Sequence, residues 1–190
     1  IKNLLAKNRR EKIIYNAVCS HIVPETIKKY GGISIIERVG HSFIKETMRK
    51  TKALFGCEHS AHYYYIDNYR ADSGIITSLI IDEIVSKENK PLSELLGEFR
   101  KYWTIEETSV EVRDKNAKLK EIESIYTREN QRFSVPRNFE KISREKQNPK
   151  KISKLDGITV EFNDWWFNVR PSNTEPLLRL NLEADSEELM

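Results

Sequence analysis

Residues 156–184 read DGITVEFNDWWFNVRPSNTEPLLRLNLEA and contain three runs of strand-type composition. The three runs are 156–163, 164–169 and 177–184. Short runs rich in β-branched and aromatic residues, bounded by turn residues, predict strands. Asn163 and Asp164 lie where the first run meets the second, and this pair predicts a tight turn. The stretch therefore predicts an antiparallel sheet.

The residues before this stretch complete a small domain. WTIEETSVEV (103–112) alternates polar and apolar residues, as a half-exposed strand does. Residues 114–126 predict a helix that Asp114 caps, with apolar residues at helical spacing. These apolar residues are Leu119, Ile122 and Ile125. We therefore predict a small α+β domain with an antiparallel sheet and helices over residues 103–190.

Residues 1–102 differ from this domain in the order of their predicted elements, because strand-like and helical runs alternate along them. Such alternation predicts an α/β layer with parallel strand pairing. The most apolar helical run is 72–87, and its lack of a polar face predicts a buried helix. We place the boundary between the two domains close to Lys101.

A polar and basic segment without clear periodicity occupies residues 127–154, and we predict a long loop there. Positive charge attracts phosphate or nucleic acid. The segment lacks a nucleic-acid recognition motif, however, and charge-rich loops are usually solvated. The net charge of the whole chain is only +3. We therefore predict no nucleic-acid partner.

Composition also bears on location. The chain has two cysteines, Cys19 and Cys57, which are too few for a disulfide framework and suit a reducing cytoplasm. No apolar run approaches the roughly 20 residues needed to cross a bilayer, and no signal peptide is visible. We therefore predict a cytoplasmic protein with no membrane partner.

The turn between the last two predicted strands carries a dense set of hydrogen-bond donors. Arg170 offers a rigid guanidinium fork that matches phosphate oxygens in pairs. Ser172, Asn173 and Thr174 add side-chain donors, and the backbone N–H groups of a tight turn can form an anion nest. We predict a site for a phosphate monoester. The alternative is a structural turn with an incidental arginine.

A second dense group of polar side chains lies in FGCEHSAHYYY (55–65). Glu58, Ser60 and His62 are two residues apart, so in a strand they would face the same way. A carboxylate, a hydroxyl and an imidazole suit the binding of vicinal sugar hydroxyls and the transfer of a proton. A metal site is the less favoured alternative, because zinc sites usually use more sulfur and Cys57 would face the other way.

A third candidate is the junction Gly40-His41-Ser42, where a strand-like run gives way to a helical one. The structural interpretation is that His41 or Ser42 caps the helix. The functional interpretation is that the helix N-terminus favours an anion. His41 and Lys45 are one helical turn apart and would then face the same cleft.

Four motifs occur in a fixed order along the chain: GHSFIK (40–45), GCEHSAH (56–62), DNYRADSG (67–74) and NVRPSNTEPLLRL (168–180). In this order they resemble the bacterial α-D-phosphohexomutases, the phosphomannomutase/phosphoglucomutase family. The resemblance implies that residues 1–102 are the third domain of a four-domain mutase, an α/β sandwich domain with a mixed sheet and helices. Residues 103–190 would be the fourth, with its C-terminal helix cut.

The resemblance implies an enzyme that interconverts hexose 6-phosphate and hexose 1-phosphate, with mannose or glucose as the hexose. A phosphoserine donates the phosphoryl group, an aspartate-rich loop holds Mg²⁺, and hexose 1,6-bisphosphate serves as activator. The implied roles are sugar binding by Glu58 and Ser60, phosphate binding by Arg170, Ser172, Asn173 and Thr174, and proton transfer near the reacting oxygens by His62 and His41.

Several positions depart from the family pattern. Cys57 and Ala61 stand where the sugar-binding motif usually has glycines, and glycine allows φ > 0 or close backbone approach. Val18 stands where a basic residue usually contacts the substrate. The sequence contains neither a Ser-His-Asn phosphoserine motif nor an Asp-Gly-Asp-Gly-Asp metal loop. We therefore predict no metal site in this chain.

Two interpretations remain. In the first, the chain is the substrate-binding half of a phosphomannomutase or phosphoglucomutase that is complete only with its N-terminal domains. In the second, it is a catalytically inactive sugar-phosphate-binding remnant of such an enzyme. Positioned binding groups cannot replace a missing nucleophile and metal. We therefore expect the isolated chain to convert no hexose phosphate.

Overall fold

The computed structural model describes residues 1–105, 107–127, 149–172 and 175–190. They divide into two compact units, Ile1–Lys101 and Tyr102–Met190, each with its own sheet and core. The predicted phosphate-binding residues Asn173 and Thr174 lie outside the described residues. Within the described part of the chain, no helix combines the length and apolar content that a bilayer span requires.

The N-terminal unit contains a four-stranded mixed sheet in the order β2–β1–β3–β4. Its strands are β1 (Lys12–Asn16), β2 (Ile33–Glu37), β3 (Phe55–Cys57) and β4 (Tyr63–Tyr65). β1 runs parallel to β2 and to β3, whereas β4 runs antiparallel to β3. Helical crossovers join the parallel strands and a short turn joins β3 to β4, as these pairings require. The predicted mixed sheet is confirmed.

Helices cover both faces of this sheet. The helices are α1 (Lys2–Lys7), α2 (Ile22–Lys29), α3 (His41–Thr51), α4 (Gly74–Glu88) and α5 (Leu92–Leu95). Successive side chains of a strand point to opposite faces. Ile13 of β1 therefore packs with Leu5 of α1 and Ile27 of α2, whereas Ile14 packs with Ile44 of α3. The unit is the α/β sandwich that the sequence predicts.

Helix α4 departs from its prediction, because none of its residues is buried. Ile75 is 78% exposed and Leu79 is 64% exposed. An apolar helix is favoured to be buried, but burial also requires a neighbouring surface against which each of its sides can pack. Only one side of this helix meets the rest of the unit, where Ile76, Thr77 and Ile80 are half-buried, so the prediction of a buried helix is wrong.

The C-terminal unit contains an antiparallel sheet in the order β5–β10–β9–β8–β7, with β6 also paired to β10. Its strands are β5 (Trp103–Thr104), β6 (Thr108–Glu111), β7 (Lys151–Ser153), β8 (Ile158–Glu161), β9 (Trp165–Pro171) and β10 (Leu177–Ala184). The three strands predicted from residues 156–184 are confirmed as β8, β9 and β10. The Phe162 amide donates to the Trp165 carbonyl at 2.9 Å across the predicted tight turn.

The strand predicted over residues 103–112 is interrupted, because β5 and β6 pair separately with the same edge of β10. Thr104 pairs with Glu183, and Thr108 pairs with Leu180. The edge advances four residues from Thr104 to Thr108, whereas the paired part of β10 advances three residues, from Glu183 to Leu180. A difference of one residue is typical of a β-bulge. Alternation of side chains does not reveal such an offset, so the single predicted strand is wrong.

Helix α6 (Lys115–Thr127) packs against this sheet. The Oδ1 of Asp114 accepts a hydrogen bond from the Ala117 amide at 2.9 Å, which confirms the predicted cap. The helix residues that pack on the core are Leu119, Ile122 and Tyr126. Ile125, which helical spacing also predicts to face the core, is instead 37% exposed.

The predicted loop over residues 127–154 is structured near both ends. Thr127 is the last residue of α6. Lys151–Ser153 form β7, which pairs with β8, so the prediction of a loop is wrong there. Three residues are too few for a readable alternation, and pairing with β8 decides their conformation. Residues 128–148 of the predicted loop lie outside the described residues.

Candidate functional site

The polar stretch after β3 forms a tight turn. The Glu58 amide donates to the His62 carbonyl at 2.9 Å, and the Ala61 amide donates to the Glu58 carbonyl at 3.1 Å. Strand alternation, on which the convergence of Glu58 and Ser60 was predicted, therefore does not apply. Glu58 is buried whereas Ser60 is exposed. Ser60 instead lies with His62, since its Oγ is 3.0 Å from the His62 Nδ1.

The Glu58 carboxylate is held by three protein donors. The Tyr64 hydroxyl donates to its Oε1 at 2.5 Å. The Gly40 amide and the Asn16 Nδ2 donate to its Oε2 at 3.3 and 3.5 Å. Burial and this hydrogen bond to Glu58 raise the pKa of Tyr64 well above its ordinary value, so the hydroxyl remains a donor. The carboxylate is therefore fixed in orientation at the end of the sheet.

Asn16, the last residue of β1, is a member of this group that the sequence analysis missed. It is fully buried. Its Oδ1 accepts hydrogen bonds from the Cys19 Sγ at 3.1 Å and the His59 amide at 3.4 Å, while its Nδ2 donates to Glu58. The available signal was its position, because polar residues at the carboxyl ends of parallel strands often mark a site.

The start of α3 belongs to the same group. Gly40 is the N-cap, with φ 134°, so neither His41 nor Ser42 caps the helix as the structural interpretation proposed. His41 is the exposed first residue of α3. Because the Gly40 amide donates to Glu58, the structure brings the junction at His41 and the turn after β3 to one edge of the sheet. Lys45 lies near it, with its Nζ 5.9 Å from the centre of the Tyr64 ring.

The positions that depart from the family pattern differ in their consequences. Ala61 has φ 61°, in the left-handed region that favours glycine. Cys57 lies in β3, and its Sγ donates to the Ile14 carbonyl at 3.6 Å in the core. Val18 is 3% exposed. Alanine at position 61 therefore strains the turn, whereas Cys57 and Val18 fit as buried apolar residues.

We expect Ala61→Gly to stabilise the N-terminal unit by about 0.5–1 kcal/mol, because the left-handed conformation costs an alanine about 1–2 kcal/mol and glycine also loses more chain entropy on folding. Urea unfolding followed by circular dichroism measures the change. Ala6→Gly, in α1, is the control and should destabilise instead. A loss of stability in both variants would contradict strain at Ala61.

In the C-terminal unit, Glu107 joins two arginines that face each other across β9 and β10. Arg170 is paired with Arg179 in the strand register, and like charges in such pairs are destabilising. The Glu107 Oε2 lies 2.8 Å from the Arg170 Nη2, and its Oε1 lies 2.7 Å from the Arg179 Nη1. Glu107 therefore bridges the two guanidinium groups, and Glu175, whose Oε2 lies 3.2 Å from the Arg179 Nη2, supplies the second negative charge.

This arrangement changes the acidity of Glu107. Burial alone would raise the pKa of its carboxyl, but the hydrogen bond from Arg179 and the charge of Arg170 outweigh burial and lower the pKa below 4.5. The Nε atoms of both arginines are buried and have no acceptor among the described residues. Each guanidinium thus keeps a donor that Glu107 does not use.

The segment after Arg170 is tied at both ends. Ser172 is buried, and its amide donates to the Leu177 carbonyl at 2.9 Å. The Lys115 Nζ donates to the Ser172 carbonyl at 2.8 Å and to the Glu175 carbonyl at 2.9 Å. Arg170, near the end of β9, and Ser172, directly after that strand, are both buried. Lys115, which the sequence analysis did not identify, contacts the same segment.

Gly157 packs against the backbone of β9 at Val169 and Arg170. Its φ is +64°, and a Cβ at this position would lie 2.1 Å from the Val169 carbonyl oxygen and 2.6 Å from the Arg170 Cα. The backbone of the turn before β8 thus packs directly on the backbone of β9. Only glycine allows an approach this close.

The resemblance implies Mg²⁺ for the complete enzyme, but the described residues of this chain provide no set of ligands for it. Among residues 1–105, 107–127, 149–172 and 175–190, no group of three or more His, Cys, Asp or Glu residues could hold a metal ion. Mg²⁺ needs several oxygen ligands in near-octahedral geometry. The described residues therefore do not fit a bound Mg²⁺.

Comparison with known proteins connects this geometry to a family. Residues 1–102 match the phosphoglucomutase/phosphomannomutase alpha/beta/alpha domain III, and residues 107–190 match the C-terminal domain of the same family. The chain is 40% identical over 189 residues to a phosphomannomutase of Methanocaldococcus jannaschii, and 36% identical over 180 residues to a phosphomannomutase of Escherichia coli K12.

Solved structures agree with these matches. A phosphoglucomutase/phosphomannomutase family protein from Burkholderia thailandensis superposes with a TM-score of 0.76 at 26% identity, over 98% of this chain and 36% of that chain. An Aspergillus fumigatus N-acetylphosphoglucosamine mutase variant, solved with glucose 1,6-bisphosphate, gives a TM-score of 0.58 at 14% identity, over 97% of this chain and 37% of that chain. At that identity the second match shows the fold alone.

The matches also fix the extent of the similarity. The Methanocaldococcus match covers 100% of this chain and 37% of its relative, and the Escherichia match covers 95% and 36%. The chain thus spans a little over a third of the length of these relatives. The chain belongs to the phosphoglucomutase/phosphomannomutase family, and its two units correspond to domain III and the C-terminal domain of that family.

Proposed function

We propose that this chain is the substrate-binding C-terminal half of a phosphomannomutase or phosphoglucomutase that interconverts hexose 6-phosphate and hexose 1-phosphate. The observation that carries the proposal is the Arg170 site. A buried guanidinium stands at the end of β9, directly before a segment whose two ends are tied down. A fixed arginine fork suits the paired oxygens of a phosphate.

In this proposal the C-terminal unit binds the phosphate that is not being transferred. Arg170 supplies the charge, and Ser172, Asn173 and Thr174 supply further donors. Glu107 already occupies one edge of the Arg170 guanidinium, but the Nε of Arg170 has no acceptor among the described residues. Because that Nε is buried, a phosphate oxygen would reach it only after neighbouring atoms move.

The N-terminal unit would bind the sugar. Glu58 would accept hydrogen bonds from sugar hydroxyls, in an orientation set by Tyr64 and Asn16. Ser60 would add a hydroxyl and would hold the His62 ring through Nδ1. The His62 Nε2 is then the nitrogen left to exchange a proton with a sugar oxygen, and His41 is the second candidate for that role.

The complete enzyme would work in the cytoplasm with N-terminal domains that supply the phosphoserine. It would use Mg²⁺ held outside the described part of this chain, and hexose 1,6-bisphosphate as activator. Relatives at 40% and 36% identity are phosphomannomutases. These likenesses support a hexose phosphate as the ligand.

The second candidate is a sugar-phosphate-binding remnant without catalytic function. The strained Ala61 and the buried apolar Val18 favour it, because both lie where the family pattern expects residues that serve the substrate. Fusing this chain to the first two domains of a relative separates the two candidates. Turnover supports the enzyme half, and binding without turnover supports the remnant.

We expect the chain to bind mannose 1-phosphate at about millimolar Kd, which is only about −4 kcal/mol, and to bind mannose far less. Arg170→Ala should abolish this difference, since it removes the charge and the fork. The measurement is a titration of the ¹⁵N-labelled chain followed by NMR. Arg113→Ala, which removes an exposed arginine of the same unit, is the control. Equal shifts with both ligands would contradict the proposal.

A further inference from the structure

Arg170 and Arg179 share a single carboxylate. The two residues are paired across β9 and β10, so their side chains lie on the same face of the sheet. The Glu107 Oε2 lies 2.8 Å from the Arg170 Nη2, and its Oε1 lies 2.7 Å from the Arg179 Nη1. Each oxygen serves a different arginine, so Glu107 gives neither guanidinium the paired oxygens that its fork can bind.

Both arginines keep donors that the described residues do not use. Arg170 is 9% exposed, and its Nε has no acceptor among these residues. The same holds for the Nε of the half-buried Arg179, although Glu175 accepts from its Nη2 at 3.2 Å. Structural pairing alone does not explain the arrangement, because buried polar groups are normally paired and apolar residues often stabilise a protein as well as a buried ion pair does.

Glu107 is the member of this group that is free to move. Arg170 and Arg179 lie within paired strands. Glu107 lies in the interruption between β5 and β6, outside the residues that pair with β10, and its side chain is 21% exposed. Its carboxylate can therefore turn toward solvent while both arginines keep their positions.

A phosphate monoester fits the position that the carboxylate would leave. At pH 7 it carries a charge of about −1.5 to −2 and three strong acceptor oxygens, whereas Glu107 offers one negative charge and two oxygens. Two of the phosphate oxygens would meet the fork of Arg170, and the third would meet Arg179. The ligand would thus replace both contacts of Glu107 and add a further one.

We infer that Arg179 is a second residue that contacts the phosphate, and that Glu107 holds the two arginines in the unliganded chain until the phosphate displaces it. The inference rests on the proposed function, in which Arg170 supplies the main charge. It adds that the ligand competes with a group of the protein itself. Glu107 therefore lowers the affinity of the site while it stabilises the fold.

The test measures the affinity for mannose 1-phosphate and for inorganic phosphate by NMR titration of the ¹⁵N-labelled chain. We expect Glu107→Gln to raise both affinities about tenfold, the value of one competing charged hydrogen bond, although it lowers the unfolding free energy. Glu107→Asp keeps the charge on a side chain too short to span both arginines, and should raise the affinities less. A purely structural Glu107 would give weaker binding in both variants, because Arg170 would lose its support.

Arg179 is tested in the Glu107→Gln background, where it no longer holds a competing carboxylate. There Arg179→Met should lower the affinity about tenfold. The matched controls are Glu111→Gln and Arg113→Met, each of which removes one exposed charge from the same unit. They should change the affinity by less than about twofold.

An affinity that Glu107→Gln lowers, or leaves within about twofold of the wild type, would overturn the inference alone. So would an Arg179→Met variant that binds as tightly as its Glu107→Gln parent. Binding by Glu107→Gln where the wild type shows none would support both the inference and the proposed function. Absence of binding by the wild type and by Glu107→Gln would overturn the proposed function as well.

Discussion

Gly157→Ala should destabilise the C-terminal unit by about 3 kcal/mol or more. The left-handed backbone costs an alanine about 1–2 kcal/mol, and overpacking adds about 1–3 kcal/mol. The overlap is with the Val169 carbonyl oxygen at 2.1 Å and the Arg170 Cα at 2.6 Å. Backbone atoms cannot rotate away as a side chain can, so the relief must come from moving β9. Arg170 would move with that strand, and phosphate binding should be lost together with stability.

Gly31→Ala separates the cost of the left-handed backbone from the cost of steric overlap. Gly31 also has a positive φ, +77°, but a Cβ there would meet nothing within 4 Å. We expect this variant to lose only the cost of the left-handed backbone. Tryptophan fluorescence follows the C-terminal unit alone, because all three tryptophans lie there, whereas circular dichroism follows both units. Equal losses in the two variants would show that the contact of Gly157 with β9 is unimportant.

Glu107→Gln should destabilise the same unit by about 2 kcal/mol at neutral pH. A fully buried ion pair that loses one partner costs about 3–5 kcal/mol, and an exposed pair costs less than about 1 kcal/mol. The Glu107 side chain is 21% exposed and the Arg170 side chain is 11% exposed, so an intermediate value applies. Without the carboxylate, Arg170 and Arg179 repel each other across the strands.

The loss should depend on pH in a defined direction. The pKa of Glu107 is lower in the folded chain than its ordinary value of 4.5. Its contribution to stability is therefore fully present above pH 4.5 and disappears as the pH falls through the folded value. The wild type and Glu107→Gln should converge in that range. Glu111→Gln, which removes an exposed carboxylate of β6, should show no such convergence, and a constant difference for Glu107→Gln would contradict the charge bridge.

The sequence predicts those parts of the fold that short segments determine. The Asp114 cap, the hairpin at Asn163–Asp164 and the strand β10 each depend on residues close together in the chain. The burial predicted for helix α4 was wrong because burial depends on which other part of the unit packs against the helix, and the helix sequence does not contain that information. The interruption between β5 and β6 was missed because it is defined by pairing with β10 and not by composition.

The same distinction holds for the sites. Arg170 and Ser172 could be proposed together from the sequence because they lie two residues apart. Asn16, Glu107 and Lys115 were missed, since each acts on a segment at least 40 residues away in sequence. The relation of Glu58 to Ser60 was misjudged because strand alternation was extended into a turn. Long-range hydrogen bonds to single side chains leave no local pattern in a sequence.

An unpaired sheet edge invites another chain to add a strand, and the offset at the β5–β6 edge works against this. Within the described part of the chain, no strand pairs with the outer side of either segment. Every residue of β6 is exposed, including Val110 at 54%. The offset divides the free edge into pieces of two and four residues, so a straight strand from a second molecule finds no continuous ladder. The bulge beside Glu107 thereby protects the unit against edge-to-edge aggregation.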